Sequence, residues 1–385
     1  MRKPITIGDL GTIITGKTPP TTNKNYYGDY AVFIKPTDIS EQCKFTYETE
    51  EMYSKLAAEK YESSLIPKGA ICVPCIGTIG TKMTMAPCDC YTNQSINSIV
   101  CNDRYDNEYV YYLIKNFLPG LKSYNLGTAS GREYVSKSNF EKIELVAEQD
   151  KTIQKKIGEF LSRYDSLIEN YRKQIKLLEE AAQRLYKEWF VDLHFPGHEN
   201  TKIVDGVPGE WEKKKLVEIA ELKAGGDKPE IVSAKRTNEC SVPIFSNGTT
   251  NEGLYGYTNL PVILEQSVTI SARGSVGYTV FRRTPFVPIV RLISVTPHNI
   301  YVGYIFYCLK STTLDSNGAA QQQITIPMIR NKEIMIPSKG ILELFESQTE
   351  PIFNQIDILK ELIRLLTEAR DRLLPKLMSG EIKVS

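Results

Sequence analysis

Histidine is scarce in this chain: three residues in 385, at 194, 198 and 298. His194 and His198 are four apart, but Pro196 and Gly197 stand between them and break the helix that would align two ligands, so histidine spacing builds no metal site. Long apolar runs are lacking, which argues against a membrane-spanning helix. The amino-terminal MRKPITIGDLG has basic residues but neither the apolar stretch nor the cleavage site of a secretory leader. No G-x-G-x-x-G follows a strand pattern, and no phosphate cradle of the nucleotide-enzyme type is expected. The Asp/Asn-Pro-Pro-aromatic tetrapeptide of an adenine amino-methyltransferase is also missing; Pro19-Pro20 is followed by Thr21. Together these absences disfavour a self-sufficient methylase or nuclease. An excess of one charge is lacking too: 47 basic against 46 acidic residues leave a net +1. Bulk attraction to nucleic acid is therefore weak, and any basic contact must be local or supplied by a partner.

Cysteine is present but uneven. Six of eight fall in the first 101 residues. Without a leader pattern they read as reduced thiols, and the cytoplasm as the compartment. Cys72-x2-Cys75 with Cys88-x-Cys90 has the ligand types of a four-cysteine zinc site. Against that, a second copy of the same stretch carries Thr269-Ile270-Ser271-Ala272, with no cysteine. A scaffold that stands without metal in one copy favours buried thiols, and no metal, in the other.

What the chain does have is helical periodicity. From Ile153 to Phe190 bulky residues recur at Ile153, Ile157, Phe160, Tyr164, Leu167, Tyr171, Ile175, Leu178, Ala182, Leu185 and Trp189, in steps of three and four with one shift between Tyr171 and Ile175. At 1.5 Å per residue this is a rod of roughly 60 Å. Its stripe needs a cover. The predicted cover is Phe345–Met378, with a seam of Ile352, Ile356, Leu359, Ile363, Leu366, Arg370, Leu373 and Leu377. Pro375 is expected to bend or end that helix, and Gly380 to stop it.

The two helices echo each other, Glu180-Ala181-x-x-Arg184-Leu185 matching Glu368-Ala369-x-x-Arg372-Leu373. The echo extends to the whole chain. Leu65–Ile71 and Gly77–Gly80 match Val262–Val268 and Gly274–Gly277, and Glu108–Leu113 matches Ile300–Ile305. The expected fold class is α+β: two similar mixed α/β domains separated by two long helices that pair as an antiparallel coiled coil, an internal repeat of pseudo-two-fold character. The boundaries are 1–147 for the first domain, 148–192 for the central helix, 193–340 for the second domain with a link at 193–210, and 341–385 for the distal helix and tail. Short β-type runs at Ala31–Ile34 and Ala70–Val73, a helix at Asn107–Phe117 and a closing strand at Lys142–Val146 are predicted in the first domain.

Polar loops in both domains are the candidate binding elements. Lys35, Thr37 and Asp38 follow a strand, as do Ser246 and Asn247. Thr78 and Lys82 lie in Gly77-Thr78-Ile79-Gly80-Thr81-Lys82, and Ser275 in Gly274-Ser275-Val276-Gly277, beside Arg273. Ser130 and Arg132 occupy a place matched in the second copy by Gln321 and Gln322. Arginine suits guanine, glutamine suits adenine, and short hydroxyl or amide side chains suit base edges; each is equally compatible with an ordinary turn. No catalytic residue emerges.

One resemblance is carried by the helices. Leu178-Glu179-Glu180-Ala181-Ala182-Gln183-Arg184-Leu185-Tyr186-Lys187-Glu188-Trp189-Phe190-Val191-Asp192, followed by Phe195-Pro196-Gly197-His198-Glu199, resembles the central conserved region of specificity (S) subunits of type I restriction–modification systems. Leu373-Leu374-Pro375-Lys376-Leu377-Met378-Ser379-Gly380-Glu381-Ile382 resembles the distal one. The resemblance implies two target-recognition domains, no catalysis by this chain, a bipartite double-stranded DNA target, two methylation subunits and, in the full complex, two restriction subunits. It places S-adenosylmethionine, ATP and Mg on those partners, with methylation at adenine N6. Tyr186, Trp189 and Phe190 become candidates for docking a methylation subunit, with packing along the helix seam as the alternative. The competing class is a non-catalytic interaction scaffold, two adaptor domains on a coiled-coil spacer.

Overall fold

A computed structural model describes residues 2–77, 79–127, 133–204, 206–312 and 323–384. The chain divides into two units, Met1–Gln174 with Leu359–Ser385, and Ile175–Ile358. Among the described residues no helix is long and apolar enough to cross a membrane.

The first unit holds β1 (Arg2–Thr6), β2 (Gly11–Thr15), β3 (Tyr27–Ile34), β4 (Met52–Tyr53), β5 (Ile71–Pro74), β6 (Thr84–Met85), β7 (Tyr91–Thr92), β8 (Ile96–Cys101) and β9 (Glu144–Glu148). Its helices are α1 (Lys55–Lys60), α2 (Asn107–Phe117), α3 (Lys137–Glu141) and the start of α4 (Lys151–Tyr186). The strands form three sheets: β1-β9, β2-β8-β5-β6 and β4-β3-β7. The second unit has β10 (Ile203–Val204), β11 (Val207–Pro208), β12 (Glu212–Lys215), β13 (Ala220–Ala224), β14 (Val242–Phe245), β15 (Leu254–Thr258), β16 (Ser267–Ile270), β17 (Thr279–Arg282), β18 (Val287–Pro288), β19 (Ile293–Pro297) and β20 (Glu333–Ile336). Its helices are α5 (Leu216–Ile219), α6 (Val302–Ser311), α7 (Ile326–Ile329) and the start of α8 (Lys339–Ser379). Apart from the extra β10–β11 hairpin, the sheets repeat those of the first unit: β12-β20, β13-β19-β16-β17 and β15-β14-β18. Even the mixed pairing is copied, β3 running parallel to β7 and β14 parallel to β18.

Sequence dictates these elements locally. The central strands β5 and β16 are buried along their whole length, as continuous apolar and hydroxyl runs require. Asp106 caps α2, its carboxylate accepting from the Tyr109 amide at 3.0 Å, and Asp150 caps α4 through Thr152 at 2.8 Å. The α2 helix buries Tyr109, Tyr111 and Tyr112 completely. It closes onto α4 at Gly158, where an added Cβ would lie 2.8 Å from the Glu108 Cβ. That contact needs glycine in mid-helix.

The predicted strands and α2 appear where the sequence puts them, with β9 displaced two residues towards α4. The seam read along α4 needs correction. Ile153 and Leu167 are exposed, while Leu161, Asp165 and Ile168 are buried. The helix packs sideways on its unit's core through Ile157 and Leu161, so its buried face is turned from the stripe read as a pure coiled-coil seam. The α8 seam is buried or half-buried throughout. That helix begins at Lys339, before the expected Phe345, because Leu342 and Phe345 belong to the second core. Nor does Pro375 end it: α8 continues to Ser379 with the proline ring outward, and stops at Gly380, φ 83°. Cys72 and Cys75 are buried thiols, and Cys88 is exposed.

Candidate nucleic-acid interface

In each unit a ridge of loops gathers at one edge of the sheets, and three of its backbone hydrogen bonds recur in both. In the first, Asn93 donates to Ile34 at 3.1 Å, Lys17 to Thr92 at 2.9 Å, Gly16 to Ile96 at 3.2 Å and Val135 to Cys75 at 2.9 Å. In the second, Ile289 donates to Phe245 at 2.9 Å, Gly225 to Leu292 at 2.8 Å and Ile324 to Ala272 at 3.0 Å. Gly16 and Gly225 hold corresponding places for one steric reason: a Cβ would lie 2.1 Å from the Thr92 oxygen in one and 2.7 Å from the Ile289 nitrogen in the other. The β5–β6 and β16–β17 connections carry Gly77, Gly80, Gly274 and Gly277, all with positive φ. Tight hairpin loops therefore lie on both ridges.

The sequence Gly11-Thr12-Ile13-Ile14-Thr15-Gly16-Lys17-Thr18 does match the spacing of a phosphate loop, contrary to the expectation that none occurs. Its context excludes that fold. Gly11–Thr15 is strand β2, hydrogen-bonded to β8, and no α-helix follows it to aim its amino terminus at a phosphate. The Gly16-Lys17-Thr18 stretch instead belongs to the ridge.

The candidates divide by what their polar atoms already do. Asp38 accepts from the Lys35 amide at 2.7 Å and the Glu50 amide at 3.2 Å, so it shapes the loop after β3. The Lys35 ammonium pairs with Glu50 at 2.7 Å and Glu51 at 3.2 Å. Burial alone would lower its pKa, but those carboxylates raise it above the ordinary value. Its charge is thus neutralised within the loop. Thr37 is exposed and Lys82 half-buried on neighbouring loops.

In the second unit Asn247 is a brace: its amide oxygen accepts from the Ala272 amide at 2.7 Å, and its nitrogen donates to the Val290 carbonyl at 2.7 Å. The first unit makes the corresponding link with backbone alone, Cys75 donating to the Ser95 carbonyl at 2.7 Å. Ser246 accompanies this brace and Ser275 shapes the hairpin loop, accepting from the Tyr278 amide at 3.0 Å through its carbonyl. Arg273 is exposed and reaches Gln323 at 3.3 Å. Thr78, Ser130, Arg132, Gln321 and Gln322 lie outside the described residues. Residues flanking them are on the ridges: Gly77 donates to the Glu133 carbonyl at 2.9 Å.

Tyr186 and Trp189 are buried in the second core, and Phe190 is half-buried. Tyr186 stacks on Tyr307 at 5.4 Å, and Trp189 and Phe190 pack on Phe345 at 5.9 and 4.9 Å. This placement gives the three residues a packing role, and leaves little of them for a partner to touch.

Sequence reading passed over Arg282 and Arg283. Arg282 is buried over the Phe245 ring at 3.5 Å, its Nε donating to Thr269 Oγ1 at 2.9 Å and its Nη2 to the Glu252 carbonyl at 2.6 Å. Burial pulls its pKa down to about 10. Arg283 clamps Glu350 with two bonds and Asp357 with a third. A basic pair after a β-strand reads as a surface patch; the outward–inward alternation that sends one arginine into the core is the signal that could have separated them.

With this geometry in hand, comparisons with known proteins become interpretable. A family model described as the type I restriction modification DNA specificity domain matches residues 3–180 and 208–371. The chain is 28% identical over 405 residues to the type I restriction enzyme MjaIX specificity subunit of Methanocaldococcus jannaschii, covering 98% of this chain and 93% of that one. It is 37% identical over 174 residues to the HindI specificity subunit of Haemophilus influenzae, covering 43% of this chain and 37% of that one. The crystal structure of a type I restriction–modification S subunit from M. genitalium superposes with a TM-score of 0.59 at 19% identity, covering 98% of this chain and 96% of that one. At that identity the likeness establishes a shared fold.

Proposed function

The chain belongs to the type I restriction–modification DNA specificity family, and from that membership we propose that it reads a bipartite, gapped duplex DNA target, one half-site per unit. The observation that carries this reading is the duplication: one scaffold of three sheets, built twice, presents loops of different chemistry at the same edge. A protein reading two unlike half-sites needs that combination. Base-edge recognition falls to exposed loop side chains, with Arg273 an accessible cation of the second ridge.

The chain itself performs no chemistry in this reading. It positions methylation subunits that carry S-adenosylmethionine and modify adenine N6, and restriction subunits that carry ATP and Mg. The near-neutral net charge suits a subunit whose partners supply much of the phosphate grip. The long helices form an antiparallel coiled-coil spacer. Two contacts, each inside one unit, support this reading: Asp165 meets Arg370 in the first, and Tyr186 meets Phe345 in the second, the later α4 residue meeting the earlier α8 one.

The test is methylation mapping of DNA from cells expressing the chain with a cognate methylation subunit. A two-part gapped adenine motif that disappears without the chain is expected. Absence of any chain-dependent motif, with no salt-sensitive binding to duplex DNA, would instead identify an interaction scaffold.

A further inference from the structure

The turn after β18 is a further constrained stretch of the second ridge. Val290 and Arg291 both have left-handed backbone, φ 53° and 62°. A β-branched residue avoids that region. Here three hydrogen bonds from two neighbouring segments impose it. Val290 donates to the Gly226 carbonyl at 2.8 Å, Arg291 to the Gly225 carbonyl at 2.8 Å, and the Val290 carbonyl accepts from the Asn247 side chain at 2.7 Å. The outcome is a rigid turn with both side chains outward. Val290 is 53% exposed, and the Arg291 side chain is exposed with no hydrogen bond or ion pair among the described residues.

The first unit supplies the control. Its corresponding turn, Asn93-Gln94-Ser95, keeps the same backbone frame, with Ile96 donating to Asn93 at 3.1 Å as Leu292 does to Ile289 at 3.1 Å. No residue there has positive φ, and Gln94 is paired with the Thr18 hydroxyl. The scaffold therefore does not require the left-handed turn. The two copies differ in strain and in chemistry at one position on one edge: an amide in one, an apolar–cationic pair in the other.

We propose that Val290–Arg291 is a base-reading element of the second unit, Arg291 donating to a guanine edge in the major groove and Val290 lying against a neighbouring base, with a thymine methyl its natural contact. A guanidinium with no partner among the described residues has its donors available for O6 and N7 of guanine, and the rigid turn lowers the ordering cost of bringing it there. The proposal rests on the DNA-reading function above.

The test uses the full chain co-expressed with a methylation subunit and compares wild type, Arg291→Ala and Val290→Gly by methylation mapping and by binding to the mapped duplex at several salt concentrations. Glycine adopts the same backbone freely, so Val290→Gly keeps the turn while removing the contact, and its thermal midpoint should not fall. Arg291→Ala is expected to lose discrimination at one guanine by roughly 5- to 150-fold, Val290→Gly to relax the adjacent position, and both to leave the other half-site intact. An unchanged motif in both variants would overturn the proposal. So would uniform weakening across sequences with a salt slope smaller by about one, which would make Arg291 a phosphate contact. A wild-type chain that directs no gapped motif would refute the underlying function instead.

Discussion

Asp165 shows how much a single side chain can be asked to organise. It is buried in α4, accepts from the Tyr112 hydroxyl of α2, and pairs with Arg370 of α8. Burial alone would raise its pKa, but Lys115, Arg370 and the Tyr112 hydroxyl hold it below the ordinary value. Its contribution is therefore present above the unfolded carboxylate pKa of about 3.9 and is lost as pH falls through the lower folded value. Removing one partner strands a charge: Arg370→Leu alone should cost about 3–5 kcal/mol in urea unfolding, and Asp165→Leu with Arg370→Leu much less than the sum of the singles. Additive costs would show that the two residues act separately. The buried thiols act at the other end of the pH scale. Burial pushes Cys72, Cys75 and Cys101 up to about 12 and Cys308 up to about 11. An acid whose folded pKa is raised gives stability that is full below its unfolded value, about 8.5, and lost as pH climbs towards the folded one. The urea midpoint should drop between pH 8 and pH 10, and the slope should flatten when Cys72, Cys75 and Cys101 are replaced by alanine.

Elements were legible to the degree that their signals were local. The α2 boundaries, the strand β5 and the glycine stop of α8 follow from caps, a short continuous apolar run and backbone freedom. The α4 face did not, because period alone cannot say whether a stripe meets another helix or a sheet core, and this helix meets both. Asn247 looked like a base-reading residue because its short polar side chain suits base-edge hydrogen bonding. Its bridge from Ala272 to Val290 joins residues 25 and 43 positions away, which no local pattern reveals. Replacing it with aspartate keeps the acceptor for Ala272 but turns a second oxygen on the Val290 carbonyl. Asn247→Asp should destabilise the second unit by about 1–3 kcal/mol, read as earlier amide exchange at residues 270–292. Pro351 is a different case. It sits exposed inside α8, where it removes a backbone donor. Pro351→Ala should raise the unfolding free energy by about 1–3 kcal/mol, with no loss of packing to offset the gain.

At the scale of the molecule the duplication was visible because it lies in matched short motifs, whereas its fidelity was not: nine-strand agreement in sheet order, parallel pairing included, survives where few residues agree. The spacer role makes a length prediction. Adding one turn to α4 near Tyr171 and one to α8 near Leu359 lengthens both by about 5.4 Å. Against a rise of about 3.4 Å per base pair, the gap in the methylated motif should grow by about one to two base pairs with both half-sites unchanged. The same gap would remove the helices from the role of spacer.

The pairing of each unit's first strand with its last has a consequence for heredity. Arg2 lies opposite Glu148 and Glu212 opposite Ile336, and a long helix starts three residues after each closing strand. All the ridge loops of a unit are thus spliced between two neighbouring backbone positions. On the proposed reading of one half-site per unit, exchange of one continuous block would bring a new half-target with both helices left as they were, where point substitution would have to rebuild a ridge residue by residue while keeping it folded at every step.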